Sequence, residues 1–187
     1  RPRDRRIDAA ILTATADLLV EIGHVNVTMA AIADRAGTTK TALYRRWSSK
    51  AELVHEAAFP AAPTALEVPA GDIAADVHAM IGAARDIFTS PLVRAALPGL
   101  MADMAADVDL NARVLGRFAD TFEAVRRRVI EGVTRGEVHA DVNPDRLVEM
   151  IGGTTMMRLL LAPDVDLDDE WVDQTTVIVV HGVRSLP

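Results

Sequence analysis

The stretch TMAAIADRAGTTKTALYRRWSSKAEL, residues 28–53, decides the fold. It holds two short segments with apolar residues at helical spacing, separated by Gly37. Thr28 is a suitable N-cap for the first segment, and Thr38 or Thr39 for the second, which extends through Trp47. Helices this short are marginal alone, so they must be held by packing. The sequence therefore predicts two short helices joined by a glycine turn.

Further helices are predicted on both sides of this stretch. Before it, apolar residues step by three and four from Ile7 to Ile22, and Gly23 stands where a left-handed residue would end the helix. After it, Ser49 can cap a helix that carries Leu53 and Val54. Four short helices in a row are therefore expected in the first 58 residues.

Two helices joined through a glycine match the requirements of a helix-turn-helix unit. Ala33 is small where the helices would cross, and Leu43 would anchor the second helix inward. This leaves five residues on outward faces: Thr39, Lys40, Ala42, Arg45 and Arg46. Hydrogen-bond donors and small groups of this kind suit a DNA groove.

Charge is distributed unevenly along the 187 residues. The net charge is −7, which excludes a protein that coats nucleic acid through bulk positive charge. Residues 1–58 carry nine basic and seven acidic residues, whereas residues 59–187 carry eleven and twenty. From Arg35 to Lys50 there are five positive residues and no acid. A solvated helix face gives a similar run, but the helix pattern around it favours a local DNA contact.

Residues 28–53 resemble the DNA-binding domain of the TetR family of transcriptional regulators. The shared pattern is a threonine, an Ile-Ala pair after three intervening residues, a glycine turn, Leu-Tyr, an aromatic residue and a lysine before the fourth helix. The resemblance covers Arg5 to about Phe59. It departs from the family at Thr38, where an apolar residue is usual, and at Trp47, where phenylalanine is commoner and a core position is expected.

The resemblance implies roles for eight residues. Phosphate contacts would come from Thr28, Tyr44 and Arg46, and Lys50 would lie near the DNA backbone at the start of the fourth helix. The residues that would face the major groove are Thr39, Lys40, Ala42 and Arg45.

A proline-rich segment, residues 59–71, interrupts the helical pattern. We therefore predict a DNA-binding domain over 1–58, a linker over 59–71 and a second domain over 72–187. Five helices are expected in this second domain: one from Ile73 ended by Ser90-Pro91, one over 92–104 bent or broken near Pro98, one long helix over 110–133, one over 144–161 and one from about 168 to 184. The last contains a β-branched run, but no partner strand is evident elsewhere in the sequence. The fold class is all-α.

The helices predicted over 144–161 and 168–184 are each apolar on more than one side. One protomer cannot hide that much apolar surface. The pattern predicts a homodimer built on a four-helix bundle, which the resemblance also implies. A two-fold protein presents two recognition helices to half-sites about 34–36 Å apart, so the DNA site should be a near-palindromic operator.

The resemblance also implies a small-molecule effector, unidentified here, bound within the helices after the linker. Apolar and polar candidates for its pocket are Met101, Met104, Phe118, Phe122, Met157, His78, Arg85, Thr154 and Arg158. Residues of these types also occur as ordinary core or surface residues. Methionine adapts to irregular shapes, which favours an apolar ligand.

No catalytic constellation is present in the sequence. The five histidines are scattered, cysteine is absent, and the acidic loop near Asp166 lacks the glycine and closing glutamate of a calcium loop. We therefore expect no enzyme activity, no metal and no cofactor.

Two functions stay open at this point. The first is a dimeric, ligand-responsive DNA-binding regulator, with repression the commoner mode in the family that the sequence resembles. The second is a helical small-molecule-binding or carrier protein whose basic N-terminal helices contact a protein or membrane partner. The longest run without a charged residue is twelve residues, too short to cross a membrane, so we expect a cytoplasmic protein without a membrane span.

Overall fold

The computed structural model describes residues 5–59, 71–162 and 166–183. These residues form helices and no β-strand, so the all-α prediction is confirmed. The helices are α1 (Arg5–Asn26), α2 (Met29–Arg35), α3 (Lys40–Tyr44), α4 (Lys50–Ala58), α5 (Ile73–Thr89), α6 (Pro91–Ala106), α7 (Val108–Gly116), α8 (Ala119–Thr134), α9 (Pro144–Leu161) and α10 (Asp169–Val183). Within the described ranges, none of these helices combines the length and the apolar character needed to cross a membrane.

The chain divides into two compact units. Unit 1 joins α1–α4 with α6 and α7, and unit 2 joins α5 with α8–α10. The predicted division placed residues 90–117 in the second domain, whereas in space they pack with the first four helices. The reason is burial, because Val93, Ala96 and Leu100 of α6 are almost completely covered and α6 packs on α1 and α4.

The caps predicted around the glycine turn are present. The side chains of Thr28, Thr39 and Ser49 accept hydrogen bonds from backbone N–H groups in the first turns of α2, α3 and α4. Gly37 has a φ of 63°, a left-handed conformation that favours glycine. The expectation that the third helix extends through Trp47 is wrong, because α3 ends at Tyr44. The Trp47 ring lies in the core of unit 1, as expected, and its Nε1 donates to Glu56.

The single long helix predicted over 110–133 is also wrong. It is two helices, α7 and α8, with a break after Gly116. The apolar spacing is continuous along both, but Leu110 and Val114 are buried in unit 1, whereas Val125 and Val129 are buried in unit 2. Spacing along the chain cannot show that two halves of a stripe serve different cores. In contrast, α6 continues through Pro98 as one helix.

Unit 2 is built around α5, which packs on α8, α9 and α10. Its core contains Val77 and Ile81 of α5 with Val129 of α8 and Ile151 of α9. The β-branched run near the C-terminus is helical, as predicted. The Asp168 carboxylate accepts a hydrogen bond from the N–H of Trp171 at 2.9 Å and so caps α10.

A buried histidine joins α1 to α6 in unit 1. The ring of His24 lies against Gly99, where an added Cβ would be 1.9 Å from Nδ1. Its Nε2 lies 3.3 Å from a carboxylate oxygen of Asp103. Burial and the nearby charge of Lys50 lower the pKa of His24, and Asp103 opposes that shift. Only glycine at position 99 permits this close approach.

We expect Gly99→Ala to destabilise the protein by about 2 kcal/mol, because the new methyl group overpacks the His24 ring. In a His24→Ala background the space is open, so the same substitution should instead stabilise by roughly 0.5–1 kcal/mol through helix propensity. Chemical denaturation of the four variants measures both values. If Gly99→Ala changed the free energy of unfolding in the same direction in both backgrounds, the contact between Gly99 and His24 would not be the cause.

The second buried histidine, His55 on α4, makes the stability of the protein depend on pH. Burial is the main cause that lowers its pKa to about 4, Arg117 adds to the shift, and Glu56 opposes it. The unfolded chain therefore binds more protons than the folded chain between pH 6.5 and 4. The free energy of unfolding therefore has its full value above pH 6.5 and decreases as the pH falls from 6.5 to 4.

We expect this proton uptake to remove about 3 kcal/mol of unfolding free energy between pH 6.5 and pH 4. His55→Leu should reduce that slope. Val54→Ala, at a neighbouring buried position, should destabilise by a similar amount at every pH and keep the slope. Denaturant titrations at a series of pH values test this, and an equal slope in His55→Leu would contradict it.

Candidate nucleic-acid interface

The unit formed by α2, the turn and α3 has the geometry of a helix-turn-helix. The Thr28 hydroxyl accepts from the N–H of Ala31 at 3.1 Å, and the Thr39 hydroxyl accepts from the N–H of Ala42 at 3.2 Å. Leu43 is completely buried and anchors the inner face of α3 in the core of unit 1. Each helix therefore begins at a fixed residue, and α3 has one inward face and one outward face.

The outward face of α3 carries the predicted groove residues Thr39, Lys40 and Arg45, which are exposed. Tyr44 is also exposed, with 56% of its surface accessible. Among the described residues, no ion pair holds Lys40 or Arg45. Exposed cations without partners beside a planar ring are able to bind the anionic backbone and the edges of bases.

Two other predicted contacts are placed differently. Ala42 is half-buried, and Arg46 does not lie on the outward face, so that expectation is wrong. The Arg46 guanidinium turns toward α1, where it binds Asp8 at 2.5 Å. The Lys50 ammonium, at the first residue of α4, donates to the backbone carbonyl of His24 at 3.1 Å. Both cations therefore already serve contacts inside unit 1.

A second ion pair joins the supporting helices. Arg35 at the end of α2 makes two hydrogen bonds to the Glu21 carboxylate on α1, at 2.9 and 2.7 Å. Arg35 holds the pKa of Glu21 below its ordinary value, mainly through these hydrogen bonds. Neither this pair nor the Asp8–Arg46 pair is predicted from the sequence. The partners are far apart along the chain, and no local spacing signals such contacts.

The nine candidate pocket residues are divided between the two units. Met101 and Met104 belong to unit 1, and the other seven belong to unit 2. In unit 2, His78 pairs with Asp173 at 3.0 Å and Arg85 pairs with Asp169 at 2.6 Å. The rings of Phe118 and Phe122 stack with centroids 6.1 Å apart.

The remaining three candidates share one cleft. It has a volume of about 400 Å³ and lies between α9 and the start of α10, lined by Gly153, Thr154, Met157, Arg158, Leu161 and Trp171. Thr154 and Met157 are exposed at its rim, and Arg158 is half-buried. The cleft is open and largely apolar, and a small apolar molecule could bind in it.

Comparison with protein families decides the identity of the fold. Residues 11–57 match the family described as bacterial regulatory proteins, tetR family, and residues 68–179 match the tetracyclin repressor-like C-terminal domain. The chain belongs to the TetR family. The first match contains the whole of α2, the turn and α3, together with the exposed cations.

Individual relatives extend this likeness to nearly the full length. The TetR-family chain is 28% identical to the HTH-type transcriptional regulator YdeS of Bacillus subtilis, covering 99% of this chain and 93% of that protein. It is 29% identical to a DNA-binding transcriptional repressor TetR of Mycobacteroides abscessus, covering 94% and 95%.

A solved structure agrees with these relatives. The crystal structure of the TetR family transcription regulator SCO0332 is 29% identical, with a TM-score of 0.71 over 97% of this chain and 100% of that chain. TetR-family regulators are DNA-binding proteins and not enzymes. The chain is therefore a DNA-binding transcriptional regulator, as predicted.

We expect substitutions on the exposed face of α3 to change which sequences are bound. Lys40→Ala and Arg45→Ala should each shift base preference, because both side chains face outward. Lys50→Ala should instead weaken binding to all DNA alike, because the ammonium that donates to the His24 carbonyl has two further N–H donors for a phosphate. Sequencing of random duplexes retained by each variant measures the difference, and an equal loss across all sequences in the three variants would contradict it.

Proposed function

We propose that this TetR-family chain is a ligand-responsive transcriptional repressor that binds a palindromic operator as a homodimer in the cytoplasm. The observation that carries the proposal is the exposed face of α3, where Lys40 and Arg45, beside Tyr44, have no ion-pair partner in the part of the chain that the structure describes. The name of the Mycobacteroides abscessus relative, a DNA-binding transcriptional repressor, supports repression as the mode of regulation. The domain roles assigned to residues 1–58 and 72–187 are part of the proposal.

The surface of unit 2 supports the homodimer. Four apolar side chains on α9 and α10 are each more than half exposed and are not part of the cleft lining: Met150, Leu160, Val177 and Ile178. This exposed apolar surface favours an interface, because single protomers rarely expose large apolar patches. A second copy of the same helices would cover it and would form the predicted four-helix bundle.

The dimer gives the ligand a way to act on DNA binding. Two copies of α3 must match half-sites about one helical turn apart, or a multiple of that distance. A ligand that changes the angle between the subunits changes the spacing of the two α3 helices and lowers the affinity for the operator. The cleft near Met157 and Trp171 is our candidate for the effector site, and its apolar lining favours an apolar effector.

A helical carrier protein is the second function that the sequence left open. The match of residues 11–57 to the tetR family disfavours it, because a carrier has no need of an exposed cationic recognition helix. We therefore keep it as an outcome of the binding experiment.

Operator binding is tested by retaining genomic DNA fragments on the purified protein at about 0.15 M salt and sequencing them. The proposal predicts enrichment of one near-palindromic sequence. Retention without sequence preference would contradict the specific repressor, and no retention at all would favour the carrier.

The dimer interface is tested by Ile178→Glu on α10, which places a charge in the proposed bundle. We expect sedimentation to show a dimer for the wild type and a monomer for this variant, with loss of operator binding. Val108→Glu on α7 is the matched control, since Val108 is also strongly exposed but lies in unit 1. A monomeric wild type at micromolar concentration would contradict the homodimer.

A further inference from the structure

The recognition helix α3 is short for its task. It contains five residues, little more than one turn, and a helix of that length has no stability of its own. Its position must therefore come from contacts at its two ends and on its inner face. Thr39 fixes the first turn, and buried Leu43 fixes the inner face. The remaining contact is at the C-terminal end.

Arg46 supplies that contact. Its Nη1 donates to the backbone carbonyl of Ala42 within the last turn of α3, at 2.9 Å. Its Nε binds the Asp8 carboxylate in the first turns of α1, at 2.5 Å. The two side chains are only 15% and 14% exposed, so water screens the pair weakly. One guanidinium therefore ties a carbonyl at the end of α3 to a carboxylate on α1.

We propose that Asp8 and Arg46 are positioning residues for DNA binding: their ion pair holds α3 against α1, and Arg46 acts through this bond and not through a phosphate. The inference rests on the proposed function, because it concerns the affinity of the same helix for DNA. It replaces the phosphate role that the family resemblance implied for Arg46. Arg45, the neighbouring residue, is exposed and stays the candidate for a direct contact.

The effect of Asp8→Asn on DNA affinity should be opposite to the usual effect of removing an acidic residue. Removing an acidic charge from a DNA-binding domain ordinarily strengthens DNA binding, because the acid repels phosphates. Asp8→Asn should instead weaken binding, since it releases Arg46 and frees the end of α3. If Arg46 were a phosphate contact, the same substitution would free it for DNA and would raise the affinity.

The experiment compares Asp8→Asn, Arg46→Gln, the double variant and the exchanged pair Asp8→Arg with Arg46→Asp. Asp17→Asn is the matched control, because Asp17 is an exposed acid on the same helix. The probes are a 30-base-pair duplex carrying the sequence enriched from genomic DNA and a random duplex of equal length. Anisotropy gives both affinities, and saturation of the signal gives the active fraction of each variant.

We expect each single variant to bind the enriched duplex about tenfold more weakly, and the double variant to be no worse than either single. The exchanged pair restores the ion pair but not the bond donated to the Ala42 carbonyl, so it should recover part of the affinity and bind more tightly than either single variant. Binding to the random duplex should change less, so the ratio of specific to random affinity should fall at an unchanged active fraction. A simple loss of folded protein would lower the active fraction and leave that ratio unaltered.

Two results would overturn the proposal. One is an affinity of Asp8→Asn equal to or above that of wild type, as expected for Asp17→Asn. The other is a double variant whose fold-loss in affinity for the enriched duplex equals the product of the fold-losses of the two single variants. Hydrogen exchange at the amides of Leu43, Arg46 and Trp47 gives a reading without DNA, and it should accelerate in Asp8→Asn. If wild type prefers no sequence, the proposed function fails, and this exchange alone decides whether Asp8 holds α3.

Discussion

The structure depends on holding a one-turn helix, α3, in a fixed position. Such a helix gains almost nothing from its own backbone hydrogen bonds, so its geometry is a property of its neighbours. The constraint is met by a threonine cap at the start, the buried Leu43 beneath and the Asp8–Arg46 ion pair at the end. The outward face is then free for exposed polar residues. A short helix with all of its support on one side is well suited to enter a DNA groove.

The same constraint explains how unit 1 is built. Helix α3 packs on α2, α2 packs on α1, and α1 packs on α4, and these helices are joined by polar contacts as well as by burial. Arg35 binds Glu21 across α1 and α2, and Lys50 binds the carbonyl of His24 across α4 and α1. The close approach of His24 to Gly99 adds α6 to this set. The positions of the recognition residues are thus set by contacts that reach as far as α6.

Much of this was predictable from local sequence signals. The caps Thr28 and Ser49, the turn at Gly37 and the buried Leu43 are all local features and were all predicted, and Thr39 was one of the two candidates for the cap of α3. The same holds for α9, whose Asn143-Pro144 start is a cap followed by a first-turn proline. In each case the signal and the structure that it specifies lie within a few residues of each other.

The failures share one physical cause, which is dependence on residues far away in the chain. The break between α7 and α8 exists because two halves of one apolar stripe enter different cores. The inward turn of Arg46 needs Asp8, 38 residues earlier. The pocket candidates were selected by residue type, and only Thr154, Met157 and Arg158 share a cleft. Residue type and spacing cannot specify a cleft, because its walls come from separate helices.

We propose that the exposed face of α3 is the surface that contacts DNA. Hydrogen exchange of the full chain, measured with and without the duplex enriched from genomic DNA, reports on this surface. Bound DNA should slow exchange in α3 and at the turn around Gly37, while exchange in the core helix α5 should stay unchanged. Protection confined to unit 2, or none in α3 when the duplex is saturated with protein, would contradict it.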